Sequence, residues 1–202
     1  MKERIIQEAI SLFLEYGFKS VTMDDLAEKL GVSKKTIYEN FDTKTDLVKE
    51  TTNIIFENIS CSIDDLRNQK LDPVEETLAI KNQVMHHLKN EKSSTQYQLQ
   101  KYYPKIHKSL KKKQWDKMQD CCRENLTRGI KEGFYRTEID VESVFRFYYH
   151  GMNLLKDQDV FPPQQFSTVE LNTQFLRYHI RGISSPKGLK RLEELSSEPT
   201  RS

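Results

Sequence analysis

Residues 22–44 read TMDDLAEKLGVSKKTIYENFDTK, an order that two short helices joined by a tight turn account for. Thr22 is an N-cap residue with Asp25 three positions on, and Val21 just before it can pack on Leu26 as a hydrophobic staple. Gly31 can take the left-handed conformation that closes a helix and redirects the chain. Ser33 then caps a second helix, and Val32 with Ile37 repeats the staple. Leu26, Ala27, Leu30, Ile37 and Phe41 make one apolar seam across both helices, with Ala27 small enough to let the backbones approach. The pattern predicts a helix-turn-helix.

The helix starts differ in charge. Thr22-x-x-Asp25 and Thr43-x-x-Asp46 each place an acid in the first turn, whereas Ser33 is followed by Lys34, Lys35 and Thr36. The second helix of the pair therefore keeps a positive N-terminus, with free N–H groups for an outside anion, as a helix end entering a nucleic-acid groove requires. An ordinary helical hairpin with two solvated lysines has the same spacing, because this geometry also occurs in proteins that never touch DNA.

Upstream, Ala9-x-x-Leu12-Phe13-x-x-x-Gly17 precedes Thr22, Leu26-Ala27, Gly31-Val32-Ser33, Thr36-x-Tyr38, Phe41, Lys44 and Leu47. With these residues the segment from about Ile5 to Leu47 resembles the N-terminal domain of the TetR family of bacterial transcriptional regulators. The resemblance implies that Thr22, Thr36, Tyr38 and Lys44 grip phosphates, while Lys34, Lys35 and Asn40 lie near base edges and Tyr38 can touch either. Ser33, which caps that helix, joins them as a candidate DNA-binding residue. Two positions depart from the family pattern: Lys35 stands where many members have glycine or another small residue, and Glu39 where an aromatic or basic residue is frequent.

The chain has 202 residues, enough for one or two small domains with a buried core. No apolar run approaches the roughly 18 residues of a membrane span, and the start Met1-Lys2-Glu3 leads into an amphipathic helix. A cytoplasmic protein is expected. Cys61, Cys121 and Cys122 are an odd set without metal-ligand spacing, and they read as reduced thiols. Net charge is +2, yet residues 1–50 hold eight Lys or Arg against ten Asp or Glu. A domain of net −2 is the opposite of a simple basic DNA binder, so any phosphate grip must come from the placement of Lys34, Lys35 and Lys44.

The remaining pattern is helical and lacks an alternating strand or an Asn-Gly hairpin, so the fold is predicted to be all α. Helix 1 should span Lys2 to Tyr16 and end at Gly17. Thr43 caps a fourth helix carrying Leu47, Val48, Ile55, Ile59 and Ile63 toward Gln69, and Asp72-Pro73-Val74-Glu75 starts a fifth. Pro104 interrupts a short helix near Thr95 to Tyr103, Gly133 closes the next, and Asp140 and Ser167 open the last two long ones. The expected organisation is a three-helix helix-turn-helix domain at 1–47, a helical ligand-binding and dimerisation domain at 48–185, and a polar tail at 186–202. That tail holds at most a short amphipathic turn around Leu189, Leu192 and Leu195.

Helices at about 140–157 and 167–183 carry more aromatic and aliphatic side chains than one narrow stripe uses. Either a partner buries the surplus or the intramolecular core is thicker. The family resemblance implies the former, a homodimer pairing these two helices with their copies. Two helix-turn-helices about one DNA turn apart, roughly 34–36 Å, then read a palindrome. It also implies a small-molecule pocket in the second domain. Candidate wall residues are Lys81, Met85, Tyr102, Trp115, Met118, Cys122 and Phe147, although aromatic and sulfur side chains at helical spacing are also plain packing.

Between Lys101 and Lys117 seven lysines face the single acid Asp116, a run suited to an anionic ligand, nucleic acid or a solvated rim. His86-His87 lacks a matched ligand cluster, so no metal is assigned, and no cofactor is expected. The chain contains no glycine-rich phosphate loop, Gly-x-Ser-x-Gly elbow or His-Glu-x-x-His, and an enzyme is not expected. The reading is a ligand-responsive repressor that binds double-stranded DNA as a dimer and leaves a palindromic operator when a small molecule binds. A helical protein-interaction adaptor without sequence-specific DNA binding is the alternative.

Overall fold

The computed structural model describes residues 1–88, 93–157 and 159–197. Among them run α1 (Lys2–Tyr16), α2 (Met23–Leu30), α3 (Lys34–Tyr38), α4 (Lys44–Asn68), α5 (Pro73–His87), α6 (Ser93–Tyr102), α7 (Pro104–Lys131), α8 (Val141–Leu154), α9 (Thr168–Ile183) and α10 (Pro186–Ser197). The described residues contain no strand, only an isolated antiparallel bridge between Tyr135 and Ser184. The fold is all α, and no helix of the described residues is long and apolar enough to cross a membrane.

Local chemistry sets the helix ends. Thr22 and Asp25 form a reciprocal capping box, and Gly31 closes α2 in the left-handed region at φ 65. Thr43 and Asp46 exchange the same pair of bonds, each 3.1 Å. The Asp72 carboxylate accepts the Val74 and Glu75 N–H groups at 3.0 Å, with Pro73 in the first helical position, where its missing N–H costs nothing. Pro104 begins α7 in the same way, so the helix lost before it is regained at once. Asp140 and Ser167 cap α8 and α9.

The chain divides into two compact units, Met1–Ile63 with Gln83–Gln114, and Asp64–Asn82 with Trp115–Ser202. Their boundaries fall inside α4, α5 and α7. In the first unit the expected seam is present: Leu26, Ala27, Ile37 and Phe41 are buried with Phe13, Phe18 and Leu47, and Leu30 packs against them. This core also takes in Leu99 of α6, fully buried, with Tyr103, Ile106 and Leu110 packed alongside. The compact unit is thus larger than the helix-turn-helix segment 1–47. Two further contacts fasten α6 to it: Thr95 Oγ1 donates to the Leu14 carbonyl at 3.4 Å, and Lys19 N–H donates to Gln98 Oε1 at 2.7 Å. Gly17, at φ 85, lies directly against the Gln98 amide, where a Cβ would collide.

The second unit packs Val74, Leu126, Tyr135, Leu176, Ile180 and Leu192 together. A polar network lies within it. Asn125 Nδ2 donates to Glu76 Oε1 at 2.7 Å, Arg128 Nη2 donates to Glu76 Oε2 at 2.6 Å, and the Tyr135 hydroxyl lies 2.9 Å from both the Pro73 carbonyl and Asn125 Oδ1. Residues 186–197 depart from the expected polar tail. They form a full helix because leucines at three-residue spacing place Leu192 in the core with Leu195 beside it, and because Arg191 is held by Asp72 at 2.7 Å and Glu75 at 2.8 Å. Residues 198–202 of that tail lie outside the described residues.

Candidate nucleic-acid interface

The candidate DNA-facing side chains sit on α2, α3 and the start of α4. Thr22 is exposed at the head of α2, its oxygen accepting the Asp25 N–H at 3.1 Å. Hydrogen bonds from the Thr22 backbone and hydroxyl hold the Asp25 carboxyl below the usual carboxylate range. Helix α3 is only five residues long, because after Tyr38 the chain turns through Glu39 and Asn40 toward the next cap at Thr43. Ser33 caps it by accepting the Thr36 N–H at 3.1 Å, and its oxygen is 2.8 Å from Thr36 Oγ1. Ile37 alone of α3 is buried; Lys35 and Tyr38 are exposed and Thr36 half-buried.

The two lysines of α3 behave differently. Lys34 is paired with Asp24 of α2 at 2.9 Å, and that bond raises its ammonium pKa. Its charge is therefore partly answered within the protein, and it reinforces the helix start less than its position in sequence suggests. Lys35 is the free cation of the pair, with a side chain 86% exposed and only a 3.9 Å approach to Glu39. An exposed pair at that distance contributes almost nothing, so the ammonium is available to a partner. Asn40, expected near base edges, donates one amide N–H to the Thr36 carbonyl at 2.8 Å and so braces the C-terminal end of α3. A short amide close to an unsatisfied helix carbonyl folds back onto it more readily than it reaches outward.

Lys44 is half-buried and donates to the Lys19 carbonyl at 3.3 Å. Burial pushes its pKa down, offset in part by Asp25. Lys19 was not among the candidates. It lies in the α1–α2 connection, exposed, with its ammonium 5.1 Å from the centre of the Tyr102 ring. Lys2, also unexpected, stands 5.4 Å over Phe41 just beyond α3. Neither has a motif at sequence level; only the fold brings them to this surface.

The candidate pocket residues are divided between the two units. Met85 and Tyr102 belong to the first unit, and Lys81, Trp115, Met118, Cys122 and Phe147 to the second. Tyr102 is exposed beside Lys19 and Lys101. Phe147 is 73% exposed, since it sits two positions from the fully buried Phe145 and so on the opposite side of α8. Trp115 packs edge-on against Phe145 at 4.8 Å and Tyr149 at 4.7 Å. Burial pushes the Cys122 thiol up to about 12, and Cys61, Cys121 and Cys122 are all free. Lys81 is half-buried, its pKa pushed down by burial, and donates to Thr173 Oγ1 at 3.2 Å. Sequence reasoning missed His179, stacked on Tyr148 at 4.5 Å, whose pKa burial pushes down to about 4. Among the described residues no group of His, Cys, Asp or Glu could hold a metal ion.

Residues 5–51 match the family described as bacterial regulatory proteins, tetR family. Over 60 residues the chain is 33% identical to the biofilm operon icaADBC HTH-type negative transcriptional regulator IcaR of Staphylococcus aureus (strain Newman), covering 30% of this chain and 32% of that one. The match thus spans about a third of that relative's length. A longer match, 23% identical over 153 residues, covers 71% of this chain and 73% of the HTH-type transcriptional repressor KstR2 of Mycobacterium tuberculosis (strain CDC 1551 / Oshkosh). Among solved structures, a TetR-family regulator from Agrobacterium tumefaciens superposes with a TM-score of 0.74 at 16% identity, covering 91% of this chain and 97% of that one. FadR from Bacillus subtilis, solved in complex with stearoyl-CoA, superposes at 0.64 and 19% identity, covering 91% and 100%. Those likenesses carry the same helical fold along nearly the whole chain. Segment 5–51, with its capped helix-turn-helix, is thus an N-terminal domain of the tetR family of bacterial regulatory proteins, and the chain shares the helical fold of the solved structures along nearly its whole length.

Proposed function

We propose that this chain is a transcriptional repressor that binds a palindromic operator as a homodimer and leaves it when a small molecule binds. The observation that carries the reading is the α2–α3 pair, capped at both starts, buried along one seam and presenting Lys35, Tyr38 and Thr22 outward. In this reading Lys35 and Tyr38 meet base edges or phosphates, while Thr22, Thr36 and Lys44 hold the backbone. The names of IcaR and KstR2, a negative regulator and a repressor, favour repression.

Dimerisation draws support from α8 and α9. Phe147 and Tyr178 are 73% and 78% exposed, with Leu154 and Val169 also exposed on the same two helices. Apolar side chains left in water at that density fit a face that a second copy covers. Ligand response draws support from FadR, solved with stearoyl-CoA, and from the half-buried Lys81 of the second unit, a cation suited to an acidic group. Such a ligand acts only through unequal affinity for the DNA-competent and incompetent forms.

The test is selection from a random duplex pool with purified protein sized in parallel. The expected result is a palindrome enriched by a dimer, with half-sites about one turn, roughly 34–36 Å, apart. In the enriched site Lys35→Ala should relax base preference, and Lys44→Ala should weaken all sequences and lower the salt slope by about one per subunit. No enrichment even at low salt would sink the reading and favour the helical adaptor.

A further inference from the structure

The basic run that begins at Lys101 has no part in the function so far, and the helix-turn-helix segment is acidic overall. The fold joins these two facts. Residues 83–114 belong to the first unit, and they contribute eight lysines against one acid. Across that whole unit sixteen Lys or Arg stand against twelve Asp or Glu, a net of +4 in place of −2. Six of those eight lysines, Lys101, Lys105, Lys108, Lys111, Lys112 and Lys113, lie on α6 and the start of α7 and supply most of that positive charge.

Placement sharpens the point. Lys113 is used internally, 3.2 Å from Asn53 Oδ1 and 3.5 Å from Glu57. Lys101, Lys105 and Lys108 are exposed, and no ion pair engages them among the described residues. Lys101 stands 5.5 Å from the Tyr97 ring and 5.6 Å from the Tyr102 ring. Lys19 stands 5.1 Å from that same Tyr102 ring, so two ammonium groups gather around one phenol without a carboxylate between them. Tyr97 and Tyr102 are 59% and 40% exposed, leaving two ring faces and two hydroxyls at the surface. The arrangement is continuous with the helix-turn-helix, because Lys44 donates to the Lys19 carbonyl and Lys19 N–H donates to Gln98 of α6.

We propose that Lys19, Tyr97, Lys101 and Tyr102, with Lys105 beyond them, form a second phosphate-binding surface that holds duplex DNA alongside the helix-turn-helix. The proposal rests on the DNA-binding reading above and extends its footprint to α6. Cation–π contacts keep the ammonium groups in place without neutralising them. Like charges gathered without counter-charge repel one another, and a polyanion relieves that repulsion while its own counterions are released. Phenol hydroxyls add neutral donors to the same phosphates. Such contacts read no sequence; they add affinity to any duplex long enough to reach them.

The experiment measures binding of the full-length protein to a long random-sequence duplex over a range of salt concentrations, by fluorescence anisotropy. The double variant K101A/K105A should flatten the plot of log affinity against log salt by about 0.9 for each lysine removed per subunit. Lys190→Ala, an exposed lysine of α10 in the second unit, should leave the slope unchanged, and K101R/K105R should restore it. Trimming a selected operator to its palindrome should weaken the wild type and leave K101A/K105A almost unaffected. A slope identical in wild type and double variant, or an equal flattening by Lys190→Ala, would overturn the proposal while leaving the helix-turn-helix reading intact. A wild type that binds no duplex at low salt removes both.

Discussion

The two compact units differ in how most of their buried polar groups are satisfied. In the first, Thr51 and Thr52 turn back onto carbonyls of their own helix α4, and Thr95 is the one that reaches another element. Ser60 is buried there without a hydrogen-bond partner, and the packed cluster around α1–α3 is hydrocarbon and aromatic ring. In the second, Glu76, Asn125, Arg128 and Tyr135 satisfy one another between α5, α7 and the segment after it. The first unit thus depends on shape and keeps its charged groups on the surface. The second commits charge and hydroxyls to its interior, where removing one member leaves the others unpaired.

The largest expected effect comes from Leu99→Ala. A fully buried leucine in a close-packed core is worth about 2–5 kcal/mol, so the urea midpoint followed by far-UV circular dichroism should fall sharply. An unchanged midpoint would break the assignment of α6 to the first core. Tyr135→Phe comes next: it keeps the ring and removes the hydroxyl that reaches Asn125 and the Pro73 carbonyl, a loss of about 1–3 kcal/mol. Fluorescence of Trp115, the single tryptophan, reads that loss in the second unit. A neutral result would mean that water replaces the hydroxyl and that the polar interior is softer than its geometry.

A third effect is one of pH. His179 is pushed down to about 4 in the folded protein, against an ordinary value of 6.5. Below 6.5 the unfolded chain binds a proton that the folded chain refuses. Stability should therefore decline as pH falls from about 6.5 toward 4, by at most about 1.4 kcal/mol per pH unit. His179→Gln should flatten this part of the profile relative to the wild type, since the ring's neighbours Tyr148 and Phe175 remain neutral there. A wild type and variant with parallel profiles would show that the ring is open to solvent.

What was legible in the sequence follows the same division. The caps at Thr22, Ser33, Thr43, Asp72, Asp140 and Ser167 are bonds across two or three residues, and each occurs where its residue type and spacing indicated. The helix-turn-helix seam is equally local. Leu99 was illegible because its partners lie some eighty positions earlier, and a ten-residue helix carries too few turns to declare its buried face. The site candidates show the same limit. Asn40 could serve the backbone or a partner, and only the fold reveals its bond to the Thr36 carbonyl. Phe147 and Tyr102 were read inward from residue type, whereas position on the helix turns both toward solvent.

Gly17 has a further consequence, for how such proteins can be recombined. Helix-turn-helix segments invite transplantation as cassettes, cut just after the third helix and joined to a different sensor. Here the segment is moulded around Gln98 and Leu99, so a cut at residue 47 would leave behind a piece of its own interior and bare the hollow beside Gly17. A working chimera of this chain must inherit α6 together with α1–α3, or receive a host whose corresponding helix fills the same hollow.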